Sequence, residues 1–265
     1  MSGKATLRIL GAGGHGRVVA DAATVGGRFA EVVFYDDDTS LAPRVGRWPL
    51  RGNAQAFFAT SVAAGAADAA GAVDAAGVSA TPPRVERHIA VGDNARRDRL
   101  ARHCESLGLP LATVLHPAAV VSADALLAQG CFVAAGAVVA PGAELGVAAI
   151  VNHGASVDHD CRIGRAVHIG PGAHLGGAVS VGDESWIGIG AAVRHGVRVG
   201  ARAMVGAGAV VVADVADGVR VVGNPARPMA EVPDPAHVAD VAAVGDIAAV
   251  DAATAAVRIE DPPHA

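Results

Sequence analysis

The residues most able to do chemistry lie in one run, Asn152-His153-Gly154-Ala155-Ser156-Val157-Asp158-His159-Asp160-Cys161, set in a region otherwise built of Gly, Ala and Val. Asp160 directly follows His159, and a carboxylate beside an imidazole raises its basicity and fixes its orientation. That pair suits a general base. No serine or cysteine is evidently placed as a nucleophile, so direct attack of an acceptor on a thioester is simpler than an acyl-enzyme route. Polar residues at the corners of a repetitive fold are also compatible with plain solvation.

The elements that must hold this run follow from its surroundings. From Leu115 to Val211 an aliphatic residue occupies every sixth position without a slip, and the residue two before it is small or a valine. Six is no multiple of the 3.6-residue helical period but is a multiple of the strand period, so short strands joined by tight corners point the aliphatic inward at each hexad. Glycine often follows the aliphatic, as at Gly146, Gly164, Gly182 and Gly188, where a corner is expected to need backbone freedom. With about eighteen residues per coil, residues eighteen apart stack one strand spacing, about 5 Å, above each other. Gly177 then stands one rung above His159. A glycine there leaves a backbone N–H beside the imidazole, the arrangement that an oxyanion donor needs next to a base.

A second chemistry-bearing stretch is the glycine-rich turn Gly11-Ala12-Gly13-Gly14-His15-Gly16, followed by Asp36, Asp37 and Asp38. It lies between an expected strand at Thr6 to Leu10 and a helix expected from near Arg17 to Gly26-Gly27, with the next strand at Glu31 to Tyr35. Backbone N–H groups at a helix start cradle an anion. A dinucleotide pyrophosphate, the diphosphate of a nucleotide-sugar, and a tight turn without ligand all fit that loop. Further on, 44–51 reads as loop and 60–83 as an Ala/Gly-rich excursion. A strand at 86–91, a helix at 95–106 with Arg96, Arg97 and Arg99 on its exposed side, and a strand at 111–115 lead into the repeats, whose register fails at Asp217.

The 265 residues carry a net charge of -5 with scattered arginines, which gives no basic stripe for nucleic acid. Cys104, Cys131 and Cys161 show no C-x-x-C spacing and read as buried thiols. The start lacks the apolar core of a signal peptide and no run of eighteen apolar residues occurs, so a cytoplasmic protein without membrane insertion is expected. His168 and His174 fall on different walls and His195 lies two coils from His159, so no metal site is expected within one chain.

Taken together, Gly13-Gly14-His15-Gly16, Asp36-Asp37, Gly92-Asp93-Asn94, His116-Pro117, Asp158-His159-Asp160-Cys161-Arg162-Ile163-Gly164 and Gly223-Asn224-Pro225-Ala226 resemble the sialic acid O-acetyltransferase and nucleotide-amino-sugar N-acetyltransferase family of bacterial surface-glycan pathways. The resemblance implies an α/β Rossmann-like domain at 1–112, a left-handed parallel β-helix at 113–230 and a tail at 231–265. It further implies a homotrimer with acetyl-CoA between neighbouring β-helices and no metal. His159 matches the general base, Asp160 the acidic residue that tunes it and Gly177 the oxyanion amide. His168 matches a histidine at the acetyl-CoA thioester, and Ile189 and Ala207 match contacts along the cofactor. Gly13, Gly14, His15, Asp36, Asp37 and Asn152 match positions that hold the nucleotide-linked amino sugar. The expected activity is acetyl-CoA-dependent N-acetylation of that sugar by direct transfer. The alternatives are O-acetylation of a sialic-acid-type sugar and a non-enzymatic trimeric nucleotide-binding scaffold.

Overall fold

A computed structural model describes residues 4–59 and 84–229, so the readings of 60–83 and of the tail at 231–265 lie outside the described residues. The chain opens with a three-stranded parallel sheet of β1 (Thr6–Leu10), β2 (Glu31–Tyr35) and β5 (Val85–Ile89), with β1 in the centre. Leu7, Ile9 and Leu10 of the central strand are buried, as a strand covered on both faces requires. Helix α1 (Gly14–Val25) begins three residues earlier than Arg17, so His15 belongs to its first turn and not to the loop. Gly13 supplies the extended cap, at φ -71° and ψ -165°, and no side chain caps it.

Where a loop was expected at 44–51, β3 (Arg44–Val45) and β4 (Trp48–Pro49) pair as a small antiparallel hairpin around Gly46, whose φ of 61° few other residues adopt. Helix α2 (Ala54–Phe58) is capped by the Asn53 side chain, and α3 (Asn94–Ser106) by Asp93, whose carboxylate accepts from the Arg96 N–H at 2.6 Å. The strand expected at 111–115 reduces to a single bridge from Leu111 to Arg87 and a short strand at Val114–Leu115.

From there the hexads form a parallel solenoid of about six turns, in keeping with a left-handed β-helix. Wall one starts at Val114–Leu115, wall two at Val120–Val121 and wall three at Leu126–Leu127, and below the last coil each strand pairs with the one eighteen residues on. The sixth-position aliphatics from Val133 to Val211 are buried, packed against a small-residue column that includes Cys131 and Cys161. Leu115, at the open lower end, is 42 % exposed because no rung lies beneath it. The last coil is two residues shorter than the rest, since Val215 bridges Val199 and Val221 pairs with Val205, which accounts for the loss of register at Asp217.

The glycines after the aliphatics have a different purpose from the one expected. Gly146, Gly182 and Gly188 do not take left-handed angles; a Cβ there would stand 2.4–2.6 Å from the backbone of the next coil. They are glycine so that coils can stack. The left-handed positions lie elsewhere in the corners: glycine at 136, 154, 172, 190 and 208 between walls one and two, Gly142, Asp160, Ala178 and Gly196 between walls two and three, and Gly130, Ala148, Ala166, Glu184 and Arg202 between walls three and one.

The described residues belong to one compact unit, Met1–Met229. Phe132, Ala134 and Ile150 of wall one pack in the same apolar cluster as Leu7, Ile9, Val19 and Ala23, and Ala148 packs with Ala101 and Cys104 of α3. Arg97, expected on the exposed side of α3, is instead 1 % exposed in this seam. No helix among the described residues is long and apolar enough to cross a membrane.

Candidate active site

His159 sits at the corner between walls two and three, after the strand Ser156–Val157. Its Nδ1 lies 2.8 Å from Asp160 Oδ2, and its own amide donates to Asp158 Oδ1 at 2.8 Å. Asp160 holds a φ of 57°, with its amide bonded to the Pro141 carbonyl one rung below. A neutral ring that donates Nδ1–H to Asp160 keeps its lone pair on Nε2. The bond to Asp160, followed by the charge of Asp158, raises the His159 pKa above its ordinary value.

Gly177 is where the stacking rule puts it. A Cβ built there would stand 2.4 Å from Nε2 of His159, so the imidazole covers the bare face of the glycine. The Gly177 carbonyl accepts from Gly196 and the Ala178 amide donates to the His159 carbonyl, yet the Gly177 amide donates to no partner among the described residues. A base nitrogen and a free N–H thus share one corner, which suits proton removal from an acceptor beside a developing oxyanion.

The glycine loop divides by role. Gly16 and Gly11 are needed by the fold, because Cβ atoms there would stand 2.0 Å from the Gly11 carbonyl oxygen and 2.7 Å from that of Ala90. Gly13 and Gly14 face open space within 4 Å, which leaves the start of α1 approachable. Asp36 shapes this loop by accepting from the amides of Ala12 (2.7 Å) and Asp38 (3.0 Å), and Asp37 accepts from the Ala54 amide at 2.9 Å.

Asn152 and His168 meet on wall one, where the Asn152 Nδ2 is 3.0 Å from His168 Nε2. The Asn152 Oδ1 accepts from the His153 amide at 2.8 Å, which assigns its amide nitrogen as donor. Nε2 of His168 therefore accepts and Nδ1 carries the proton. The His168 ring stands 6.2 Å from that of His15 and 4.1 Å from Trp186. Burial above all, with the nearby Arg97 charge adding to it, lowers the pKa of both His15 and His168 to about 3, so both rings are neutral. A cavity of about 510 Å³ is lined by Gly14, Arg17, Asp21, His116, Phe132 and His153, next in the chain to His15 and Asn152, while His15, Asn152 and His168 themselves do not line it. Sequence reasoning missed Arg17 and His116 as wall residues of this cavity; only their nearness to the glycine loop and to the start of the repeats hinted at it. A larger groove along wall three, about 780 Å³, contains none of these groups.

Ile189, 60 % exposed, and Ala207 stack as an exposed apolar column at the corner between walls one and two. Within one chain the structure brings together His159, Asp160 and Gly177, and separately His15, Asn152 and His168, on different sides of the solenoid. Among the described residues no cluster of three His, Cys, Asp or Glu could hold a metal ion.

Residues 6–73 match the PglD N-terminal domain, and 178–213 match the bacterial transferase hexapeptide (six repeats). The acetyltransferase domain of PglB from Neisseria gonorrhoeae, solved with acetyl coenzyme A, is 40 % identical with a TM-score of 0.74, over 86 % of this chain and 100 % of that one. The chain belongs to the hexapeptide-repeat sugar acetyltransferases with a PglD-type N-terminal domain. A second member of this family, GDP-perosamine N-acetyltransferase from Caulobacter crescentus, solved as a single-residue mutant with CoA and GDP-perosamine, is 34 % identical with a TM-score of 0.72, over 85 % and 97 % of the two chains. A comparison with curated protein sequences gave no match.

Proposed function

We propose that this acetyltransferase moves the acetyl group of acetyl-CoA directly to the amine of a nucleotide-linked amino sugar. The observation that carries the reading is the His159–Gly177 corner, a lone pair at Nε2 beside an unspent backbone N–H. His159 accepts the proton as the amine attacks the thioester carbonyl, Asp160 steadies the resulting imidazolium, and the Gly177 N–H donates to the tetrahedral oxyanion. Collapse of that intermediate expels the CoA thiolate, which takes the proton from the His159 imidazolium to become the free thiol, and leaves the acetylated sugar.

The N-terminal module supplies the acceptor site. The open backbone at Gly13 and Gly14 receives the diphosphate, and the sugar enters the cavity whose lining residues Gly14 and His153 adjoin His15 and Asn152 in the chain, while His168 stays with the acetyl-CoA thioester. The separation of this half-site from His159 in one chain supports a homotrimer in which each complete site joins two subunits. The corner of one copy then meets the Ile189–Ala207 column and the seam of the next, with acetyl-CoA lying between. The relatives named as a PglB acetyltransferase domain with acetyl coenzyme A and a GDP-perosamine N-acetyltransferase support both substrates as classes.

Free-thiol release from acetyl-CoA tests this against UDP-, GDP- and dTDP-linked amino sugars and free sialic acid. Release with one nucleotide-linked amino sugar is expected. Release only with free sialic acid would replace the proposal by O-acetylation, and failure to bind CoA would end it.

A further inference from the structure

Arg97 is a buried cation that faces no carboxylate in an ion pair among the described residues; Asp98, beside it, pairs with Arg102 and Arg165. Its guanidinium bonds are all to neutral oxygens. Nε donates to the Ala148 carbonyl at 3.0 Å, Nη2 to the Ala166 carbonyl and to Asn94 Oδ1 at 2.7 Å each, and Nη1 to the Val91 and Gly92 carbonyls at 2.8 and 3.0 Å. That uses all five donors of the fork. Burial lowers the Arg97 pKa to about 10, which still leaves it charged at neutral pH.

The acceptors are not a random set. Ala148 and Ala166 are eighteen apart, stacked left-handed corners of successive coils, and Asn94 extends the ladder by donating at 3.0 Å to the carbonyls of Glu184 and Ser185 one coil higher. One turn of α3 therefore grips three rungs. Two residues beyond each of these corners, wall one carries Ile150, His168 and Trp186. On the other side, Val91 and Gly92 adjoin Ala90, the residue whose carbonyl packs against Gly11 of the glycine loop.

Burying a guanidinium costs desolvation, and its loss would leave five oxygen acceptors without this donor, so Arg97 ties together the parts that it bonds. Five donors in a rigid plane are a good device for fixing distance. We infer that Arg97 is a positioning residue for the transfer reaction: it locks the glycine loop of the N-terminal module in height against wall one, so that an acceptor held at Gly13–His15 reaches Asn152, and the thioester at His168, in register. This rests on the acceptor site proposed above. Arg165 backs the same seam from the solenoid side, reaching Asp98 at 3.0 Å and Glu105 at 3.1 Å.

The test compares wild type, Arg97→Met, Arg97→Lys and Val199→Ala, a control that removes buried methyl groups from the solenoid core at a residue that is not among the acceptors of Arg97. Crystal structures report the His15–His168 ring separation, 6.2 Å in the wild type. Thiol release reports KM for each substrate with the acceptor that the wild type uses. Arg97→Met is expected to change the separation by more than about 1 Å and to raise KM for the acceptor at least about tenfold, with KM for acetyl-CoA within about twofold. Arg97→Lys, with three donors in place of five, is expected to fall between, and it carries the test if the methionine variant does not fold. Val199→Ala is expected to lower Tm with both KM values unchanged. An unchanged ring separation in the Arg97 variants, or an acceptor KM that follows Tm equally in the control, would overturn the inference. If the wild type acetylates no nucleotide-sugar, the proposed function fails, and the ring separation alone decides whether Arg97 sets the seam.

Discussion

Replacing Gly177 by alanine probes the site with a single methyl group. The added Cβ would lie 2.4 Å from Nε2, 2.5 Å from Cε1 and 3.0 Å from Cδ2 of His159. Carbon contacts settle at about 3.5–4.0 Å, so the ring must retreat by about 1 Å or more. Within one chain the His159 side chain is 61 % exposed, and Gly177 does not hold a left-handed φ, so neither crowding nor strain costs the fold of the chain much. The stability change is expected within about 0.5 kcal/mol, as for an ordinary surface substitution. Activity is a different matter. A reacting group misplaced by about 1 Å loses about a hundredfold in rate, and the same methyl screens the N–H from the oxyanion, a donor worth about 100- to 1000-fold elsewhere. Thiol release at saturating acetyl-CoA, read beside Tm, checks both halves. A Gly177→Ala protein that keeps more than about a third of wild-type kcat with an unchanged Tm would refute the reasoning about this corner.

Other outcomes follow from the same geometry. Asp160→Asn removes the largest cause of the raised His159 pKa, so the acid limb of the rate profile, where the base becomes protonated, is expected to move to lower pH while the plateau falls up to about 100-fold; an unmoved limb would count against Asp160 as the tuning group. His88, fully buried with Nδ1 2.9 Å from the Ala112 carbonyl, has its pKa lowered to about 4, chiefly by burial. Its neutral form stabilises the fold above pH 6.5, and that stability is lost as pH falls toward 4, about 3 kcal/mol in all. His15 and His168 act in the same direction, and Tm measured from pH 7 to pH 4 is expected to fall less steeply in His88→Asn than in the wild type. Asn152→Ala frees His168 Nε2, and the ¹⁵N shifts of that ring are expected to lose the Nδ1–H tautomer that the Asn152 amide now selects.

The hexad column from Val133 to Val211 and the His159–Gly177 stack were legible in the sequence because a period of eighteen converts directly into height along the solenoid. The reason for its glycines was not, since a Cβ at Gly182 meets Ala201 of the next coil, and such contacts exist only once coils are stacked. Arg97 was placed on the wrong side of α3 because its partners are backbone carbonyls at 148 and 166, and carbonyls leave no trace in residue identity. The one available signal was Asn94 and Arg97, three apart on the same helical face. The hairpin at Arg44–Pro49 hid behind a loop-like composition, with only Gly46 to mark its turn. The sequence also names His15, Asn152 and His168 without relating them; the shared seam that brings their rings and amide together is a product of the two modules packing on one core.

The most direct test of the account is kcat/KM for acetyl transfer to the nucleotide-linked amino sugar in wild type and His159→Ala, with CoA affinity measured in parallel. The account predicts a loss of at least about 100-fold with CoA affinity unchanged. Turnover within about threefold of wild type would contradict the assignment of His159 as the base and, with it, the chemistry placed at this corner.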